Sequence, residues 1–169
     1  MIRDAQEADL PGILAIYNEV LATSTAIYTE QPATRDERKA WFLSRRAQGY
    51  PVLVFVQESA VEGFATFGDF RAWPGYRFTV EHTVHVHRDC RGTGIGQALV
   101  RALFPHARRL GKHVMLAGVD AANDGSIRFH ERLGFEQVAR FREVGWKFGR
   151  WLDLVFLQRM LSADEDSSR

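Results

Sequence analysis

A chain of 169 residues with a formal net charge of +1 is sized for one domain and carries no excess charge that would draw it onto nucleic acid. One cysteine, Cys90, excludes an internal disulfide and suits a reducing compartment. No apolar run approaches the ~20 residues that cross a membrane, and Met1 to Glu7 lack the apolar core of an export signal. The expectation is a soluble, cytoplasmic protein with neither membrane nor nucleic acid as partner.

A short strand ending at Asp4 comes first. Asp9-Leu10-Pro11 then opens a helix, with Asp9 as cap and the proline in the first turn, where its missing N–H is harmless. Ile13, Ile16, Tyr17, Val20 and Leu21 recur at helical spacing and mark the buried face. Thr34-Arg35-Asp36-Glu37 has the form of a capping box and introduces a second helix, through Trp41 and Phe42 to about Gln48, with Gly49 as its stop.

From Pro51 the period becomes that of strands. Segments 52–56 and 61–68 form a hairpin turning near Ser59. The stretch from Arg71 to Arg77 reads as an exposed loop built on Pro74-Gly75, and it leads into a β-branched strand over 79–86. A helix follows over 97–110, apolar at Leu99, Ala102, Leu103, Ala107 and Leu110, with Pro105 expected to kink or shorten it. Next come a buried strand at 114–119 and a helix over 123–133 stopped by Gly134, then two late strands, 135–144 and 150–160. One domain over 1–161 and a polar, frayed tail over 162–169 are expected. Helices, an antiparallel meander and then strand-helix-strand-helix-strand describe an α+β or mixed α/β layer fold.

The chemistry concentrates at Arg91-Gly92-Thr93-Gly94-Ile95-Gly96, between a strand and a helix. A glycine turn that opens a helix presents unpaired N–H groups and the positive end of the helix dipole, which together hold phosphate. A tight turn without ligand is the competing reading. A nucleotide-hydrolysing P-loop needs Lys-Ser or Lys-Thr after the last glycine, and here Gln97-Ala98 follow. A dinucleotide fingerprint needs Gly-x-Gly-x-x-Gly in an opening βαβ unit, and glycines 92, 94 and 96 lie mid-chain.

Arg-x-x-Gly-x-Gly over residues 91–96 resembles the acyl-CoA pyrophosphate loop of the GNAT superfamily of N-acetyltransferases. Asn123, Ser126, His130, Gly134 and Phe135 are similar to that superfamily's downstream Asn-x-x-Ala-x-x-x-Tyr-x-x-x-Gly-Phe, with Ser126 and His130 as the two replacements. Ile16-Tyr17-Asn18 and the segments 49–54, 79–86 and 147–153 resemble the phosphinothricin and methionine sulfoximine acetyltransferase branch, in which His stands at the position of His130.

The resemblance implies the GNAT acyl-CoA N-acyltransferase fold, a central, mostly antiparallel twisted sheet flanked by helices. It implies acetyl-CoA as cosubstrate, no metal, a homodimer, and a small-molecule amino acid as partner. The implied activity is acetylation of the α-amino group of a small amino acid or toxic analogue, of the phosphinothricin, methionine sulfoximine or methionine sulfone type, by direct transfer in a ternary complex. Glu81 and His130 are the implied catalytic residues. Val84, His85 and Val86, Arg91, Gly92, Thr93, Gly94, Ile95 and Gly96, and Asn123 and Ser126 would bind the cofactor. Arg71, Trp73, Tyr76, Arg77, Glu81, His82 and Thr83 would meet the substrate.

Elementary chemistry bears on these roles. An α-amino group has a pKa near ~8 and must lose a proton before it attacks a thioester. Glu81 sits in an apolar run where burial would raise its pKa towards that of a useful base. As an ordinary strand carboxylate it would instead pair with Arg71 or Arg77. His130 would give a proton to the departing thiolate or contact the cofactor, or else face solvent beside Arg128, Glu131 and Arg132. A guanidinium in the 71–77 loop suits an amino acid's carboxylate. Ile27, Tyr28 and Trp151 are further candidates for the pocket wall, Trp151 equally for the core. His82, His85 and His87 invite a metal, but strand alternation sets His82 opposite the other two. Cys90 has no recognisable base nearby. Another amine acceptor (a polyamine, an aminoglycoside or a protein N-terminus) and a non-catalytic CoA-binding module both stay open.

Overall fold

Asp9 occupies the first helix cap, yet its carboxylate is used elsewhere. Both oxygens accept from the Arg3 guanidinium, at 2.7 and 2.9 Å, and one also accepts from the Gln6 N–H at 2.7 Å. The expected side-chain cap is therefore replaced by an ion pair that ties strand β1 (Ile2–Asp4) to helix α1 (Leu10–Thr23). Helix α2 (Arg35–Ala47) starts as its sequence requires. Thr34 accepts from the Glu37 N–H at 3.2 Å while the Glu37 carboxylate accepts from the Thr34 N–H at 2.7 Å.

This computed structural model describes residues 1–162, so the expected tail lies outside the described residues from 163 onward. Strands β2 (Val52–Gln57) and β3 (Ala60–Asp69) form the expected hairpin. Glu58 and Ser59 both have positive φ, 48° and 68°, the hand that matches strand twist in a two-residue turn. Then follow β4 (Thr79–Val86), α3 (Ile95–Arg109), β5 (Val114–Asp120), α4 (Asp124–Arg132), β6 (Glu136–Lys147) and β7 (Arg150–Met160). β6 runs three residues past its expected end at Val144, because Phe148 and Gly149, at φ 53° and 72°, turn the chain back at once.

Pro105 does not shorten α3, which continues to Arg109. Pro105 and Arg101 are both exposed, so the carbonyl released by the missing N–H faces water, while buried Leu103, Phe104 and Ala107 hold the helix to the sheet.

Among the described residues seven strands lie in the order β1-β2-β3-β4-β5-β7-β6, antiparallel except where β4 meets β5. Alternation along each strand divides the core. On one face Ile13, Ile16, Val20 and Phe42 of α1 and α2 pack on Val52, Val54 and Phe64. On the other, Leu99, Leu103 and Ala107 of α3 pack on Leu53, Phe67, Val80 and Met115. The parallel pairing is short. It joins Thr79, Val80 and Glu81 to Val114, Met115 and Leu116, after which β4 runs on to Val86 paired only with β3 and β5 to Asp120 paired only with β7. The sheet is split at its centre.

Thr34→Ala should cost about 1 kcal/mol in urea denaturation, whereas Thr34→Ser should cost much less. An unchanged midpoint for the alanine variant would show that the box adds nothing to stability.

Candidate active site

The split opens into two adjoining cavities. One, of about 400 Å³, is lined by Glu81, Thr83 and His85 of β4, by Ala117 to Asp120 of β5, by Ala26 and Ile27, and by Asn123, Ser126 and His130 at α4. The other, of about 350 Å³, is lined by Val84, Val86, Gly92, Gly94, Gly96, Gln97 and Arg132. Val84 and Phe129 border both, so the two are ends of one groove.

The second end is built by the glycine turn. Gly92 and Gly94 hold φ of 77° and 91°, values that would strain any residue with a Cβ, and Gly94 stands at the α3 cap. No side chain caps this helix, and its first main-chain bond runs from Ala98 N–H to Gly94. The N–H groups of Ile95, Gly96 and Gln97 are therefore free of intrahelical partners at the positive dipole end. Arg91 does not extend into the cavity as a bare cation. Its Nη2 pairs with the Glu19 carboxylate at 2.5 Å and its Nε donates to the Val86 carbonyl at 3.2 Å, which anchors the turn to α1 and β4. The Thr93 hydroxyl donates to the Cys90 carbonyl at 2.5 Å. Arg132, a lining cation from α4, went unnoticed in the sequence, where it looked like one of several solvated helix charges.

Glu81 sits where the strands separate. Burial lifts its carboxyl above the ordinary glutamate value. Neither candidate partner reaches it. Arg71 lies over the Tyr76 ring, 5.7 Å from its centre. Arg77 lies 4.3 Å from the centre of the Phe78 ring and donates to the Pro74 carbonyl at 3.0 Å. Opposite, Gly118 leaves the room the carboxylate uses, since a Cβ there would lie 3.0 Å from Glu81 Oε1.

His130 is buried, not solvated. Its Nδ1 lies 2.7 Å from the Ser126 carbonyl and must carry the proton, because a carbonyl can only accept. Its Nε2 then accepts from Nε2 of His82 at 3.0 Å. His82 Nδ1 is left as an acceptor with no partner among the described residues. Burial lowers the pKa of both rings, which keeps the pair neutral. Asn123 accepts from the Ser126 N–H at 3.0 Å and so caps α4. His85 points to the other face, against Tyr17 and Phe64, where burial lowers it to about 4. No group of three or more His, Cys, Asp or Glu among the described residues could hold a metal ion.

The 71–77 loop stands outside the cavity. None of Arg71, Trp73, Tyr76 and Arg77 lines it, and Trp73 is 76% exposed. Tyr76 is linked to the site through ring contacts, to Phe70 at 5.9 Å and from Phe70 to Phe156 at 5.8 Å, beside Gly118. Trp151 belongs neither to this cavity nor to the core. It is 60% exposed and stacks edge-on against Trp146, its cross-strand partner. Asp120, unforeseen from the sequence, lines the cavity and accepts from the Thr25 hydroxyl and from the Ala122 N–H at 3.0 Å.

A sheet split after Glu81, with a glycine turn at a helix N-terminus on one side, is the architecture of an acyl-CoA-dependent N-acyltransferase, and the chain belongs to the acetyltransferase (GNAT) family, whose sequence pattern matches residues 13–135. Within that family it is 51% identical, over 93% of its length and 92% of the relative's, to the L-methionine sulfoximine/L-methionine sulfone acetyltransferase of Pseudomonas aeruginosa. Identity falls to 36%, over 95% of both chains, with the phosphinothricin N-acetyltransferase of Streptomyces coelicolor. The solved structure of a Salmonella typhimurium acetyltransferase with its cofactor acetyl-CoA superimposes with a TM-score of 0.93, at 46% identity, covering 96% of this chain and 94% of that one.

The raised Glu81 pKa has a consequence for stability. A carboxyl whose folded pKa lies above its unfolded value contributes stability in acid and loses it as pH rises through the folded pKa. Glu81→Gln should therefore melt above the parent at pH 8, with the gap closing towards pH 4. A variant less stable at every pH would contradict the unpaired, buried placement.

Proposed function

We propose that the chain is an acetyl-CoA-dependent N-acetyltransferase acting on the α-amino group of a small amino acid or analogue, foremost methionine sulfone and methionine sulfoximine, with phosphinothricin a poorer acceptor. The observation that carries this reading is Glu81, a half-buried carboxylate with no cation beside it among the described residues, facing a 400 Å³ cavity at the point where β4 and β5 separate.

Acetyl-CoA fits the groove. The free N–H groups of Ile95, Gly96 and Gln97 suit its pyrophosphate, with Arg132 adding charge, and the unpaired β4 edge over 84–86 suits its pantetheine amides. The bound thioester supplies an acyl carbon with a good leaving group. Glu81 takes a proton from the acceptor amine, directly or through water, and the neutral nitrogen attacks that carbon. The C–N bond forms, the C–S bond breaks, and the departing CoA thiolate takes up the second amine proton, which leaves the neutral amide and free thiol. Arg91 and Thr93 shape the turn, while Asn123 and Ser126 fix the α4 end of the groove.

His130 acts through its pairing with His82. It holds the α4 wall against β4, and donation to a departing thiolate would first require that bond to open. The substrate carboxylate is assigned to Arg71 and Tyr76, which lie outside the cavity and join it through Phe70 and Phe156, while Arg77 and Trp73 shape the loop around them. One observation favours a second reading. Among the described residues the cavity is lined by two carboxylates, Glu81 and Asp120, and by no Arg or Lys, which suits a polyamine with a second positive charge.

A homodimer is part of the proposal. Val144, Trp146, Phe148 and Trp151 on the β6–β7 hairpin are 45–60% exposed, an apolar patch suited to a second copy. A cytoplasmic setting is supported by the free thiol of Cys90.

An amine panel read by released thiol should show methionine sulfone well ahead of spermidine; the reverse order would replace the first reading with the second. Glu81→Gln should lower kcat/KM by about 10²- to 10⁴-fold with the KM for acetyl-CoA held within about twofold. Retention of full activity would remove Glu81 from the chemistry. Light scattering should give twice the chain mass for the parent and a monomer for Trp151→Glu.

A further inference from the structure

We propose that Lys147 is a positioning residue for the acceptor site, the buried cation that fixes the wall of the catalytic cavity formed by Ala26 and Ile27. The proposal rests on the reading that this cavity receives the amine.

The turn at Phe148 and Gly149 sets Lys147 at the tip of the β6–β7 hairpin, paired across to Arg150. Its side chain is wholly buried. Nζ donates to the carbonyls of Leu21 at 2.6 Å, Ser24 at 2.7 Å and Ile27 at 2.7 Å. An ammonium has three N–H donors, and all three are used. Leu21 lies in the last turn of α1, where carbonyls lack helical partners and the dipole is negative, so a cation is favoured there. The chain from α1 onward wraps this ammonium as it would a bound ion.

The same segment is pinned twice more to the same half of the sheet. The Thr25 hydroxyl donates to Asp120, and the Tyr28 hydroxyl donates to the Asp153 carbonyl at 3.2 Å. The Tyr28 ring lies against Gly145, where a Cβ would come within 2.5 Å of it. Between these pins stand Ala26 and Ile27, which line the same cavity as Glu81. The stretch from Ser24 to Tyr28 has no helix or strand of its own. Its shape is therefore set from outside, and Lys147 supplies three of the bonds. The glycine turn lies at the other end of the groove and shares none of them.

That separation gives the test. Lys147→Met keeps the length of the side chain and removes the charge and donors. The KM for the amine should rise about tenfold or more, and the KM for acetyl-CoA should stay within about twofold. Tyr28→Phe, which keeps the ring against Gly145, should shift the amine KM in the same direction by a smaller factor and serves if Lys147→Met does not fold. Equal changes in both constants, or an unchanged amine KM in a folded variant, would overturn the proposal. Hydrogen exchange separates this result from a failure of the acceptor assignment. Even with no amine turned over, a peptide covering residues 21–28 should exchange faster in the variant while the glycine turn is unaltered. Unchanged exchange in that peptide would equally overturn the proposal.

Discussion

After Glu81 pairs with Leu116, β4 and β5 separate, and the β4 edge from His82 to Val86 loses its strand partner in the middle of a seven-stranded sheet. A central strand with an unpaired edge needs other donors and acceptors, from water or from a ligand laid along it. The rest of the site follows from that separation. It makes room for α4 to bring His130 against β4 and for the α3 N-terminus to open onto the groove. It also leaves Glu81 at the apex, the last residue still covered by sheet on both sides and the first to face the cavity.

The polar groups at this apex are handled in two ways. The histidines orient one another: the Ser126 carbonyl fixes the His130 tautomer, and His130 in turn fixes His82, whose Nδ1 keeps no partner among the described residues. Both stay neutral, so the wall beside the reacting centre carries no fixed positive charge. Glu81 is left without a cation among the described residues, and burial makes it a stronger base than an exposed glutamate. Pairing it with Arg71 or Arg77 would stabilise the carboxylate and weaken it as a base. Those guanidiniums instead rest on Tyr76 and Phe78.

Much of the architecture was legible because it is written in local chemistry. The Thr34 capping box, the strands around Ser59, the β-branched run at 79–86 and the glycines before α3 each state their structure within a few residues. What was not legible arises between distant elements. Nothing in the apolar 79–86 and 114–119 runs announces that they pair over only three residues. His82 and His130 are 48 positions apart, and Lys147 meets α1 across 126. Gly118 looked like part of an ordinary buried strand until Glu81 was seen to fill its space. Local rules also misled where tertiary structure overrode them. Asp9 gave its carboxylate to Arg3, and the helix passed through Pro105 because the freed carbonyl met water.

The central claim is that the separated strands and the α3 N-terminus form one acyl-CoA groove ending at Glu81. An amide-resolved NMR titration with CoA tests it most directly. The account predicts saturable shifts concentrated at Ile95, Gly96 and Gln97 and along Val84, His85 and Val86, with α2 and the β1–β2 edge unmoved. Shifts centred on α2 or that far edge, with the glycine turn silent, would contradict it.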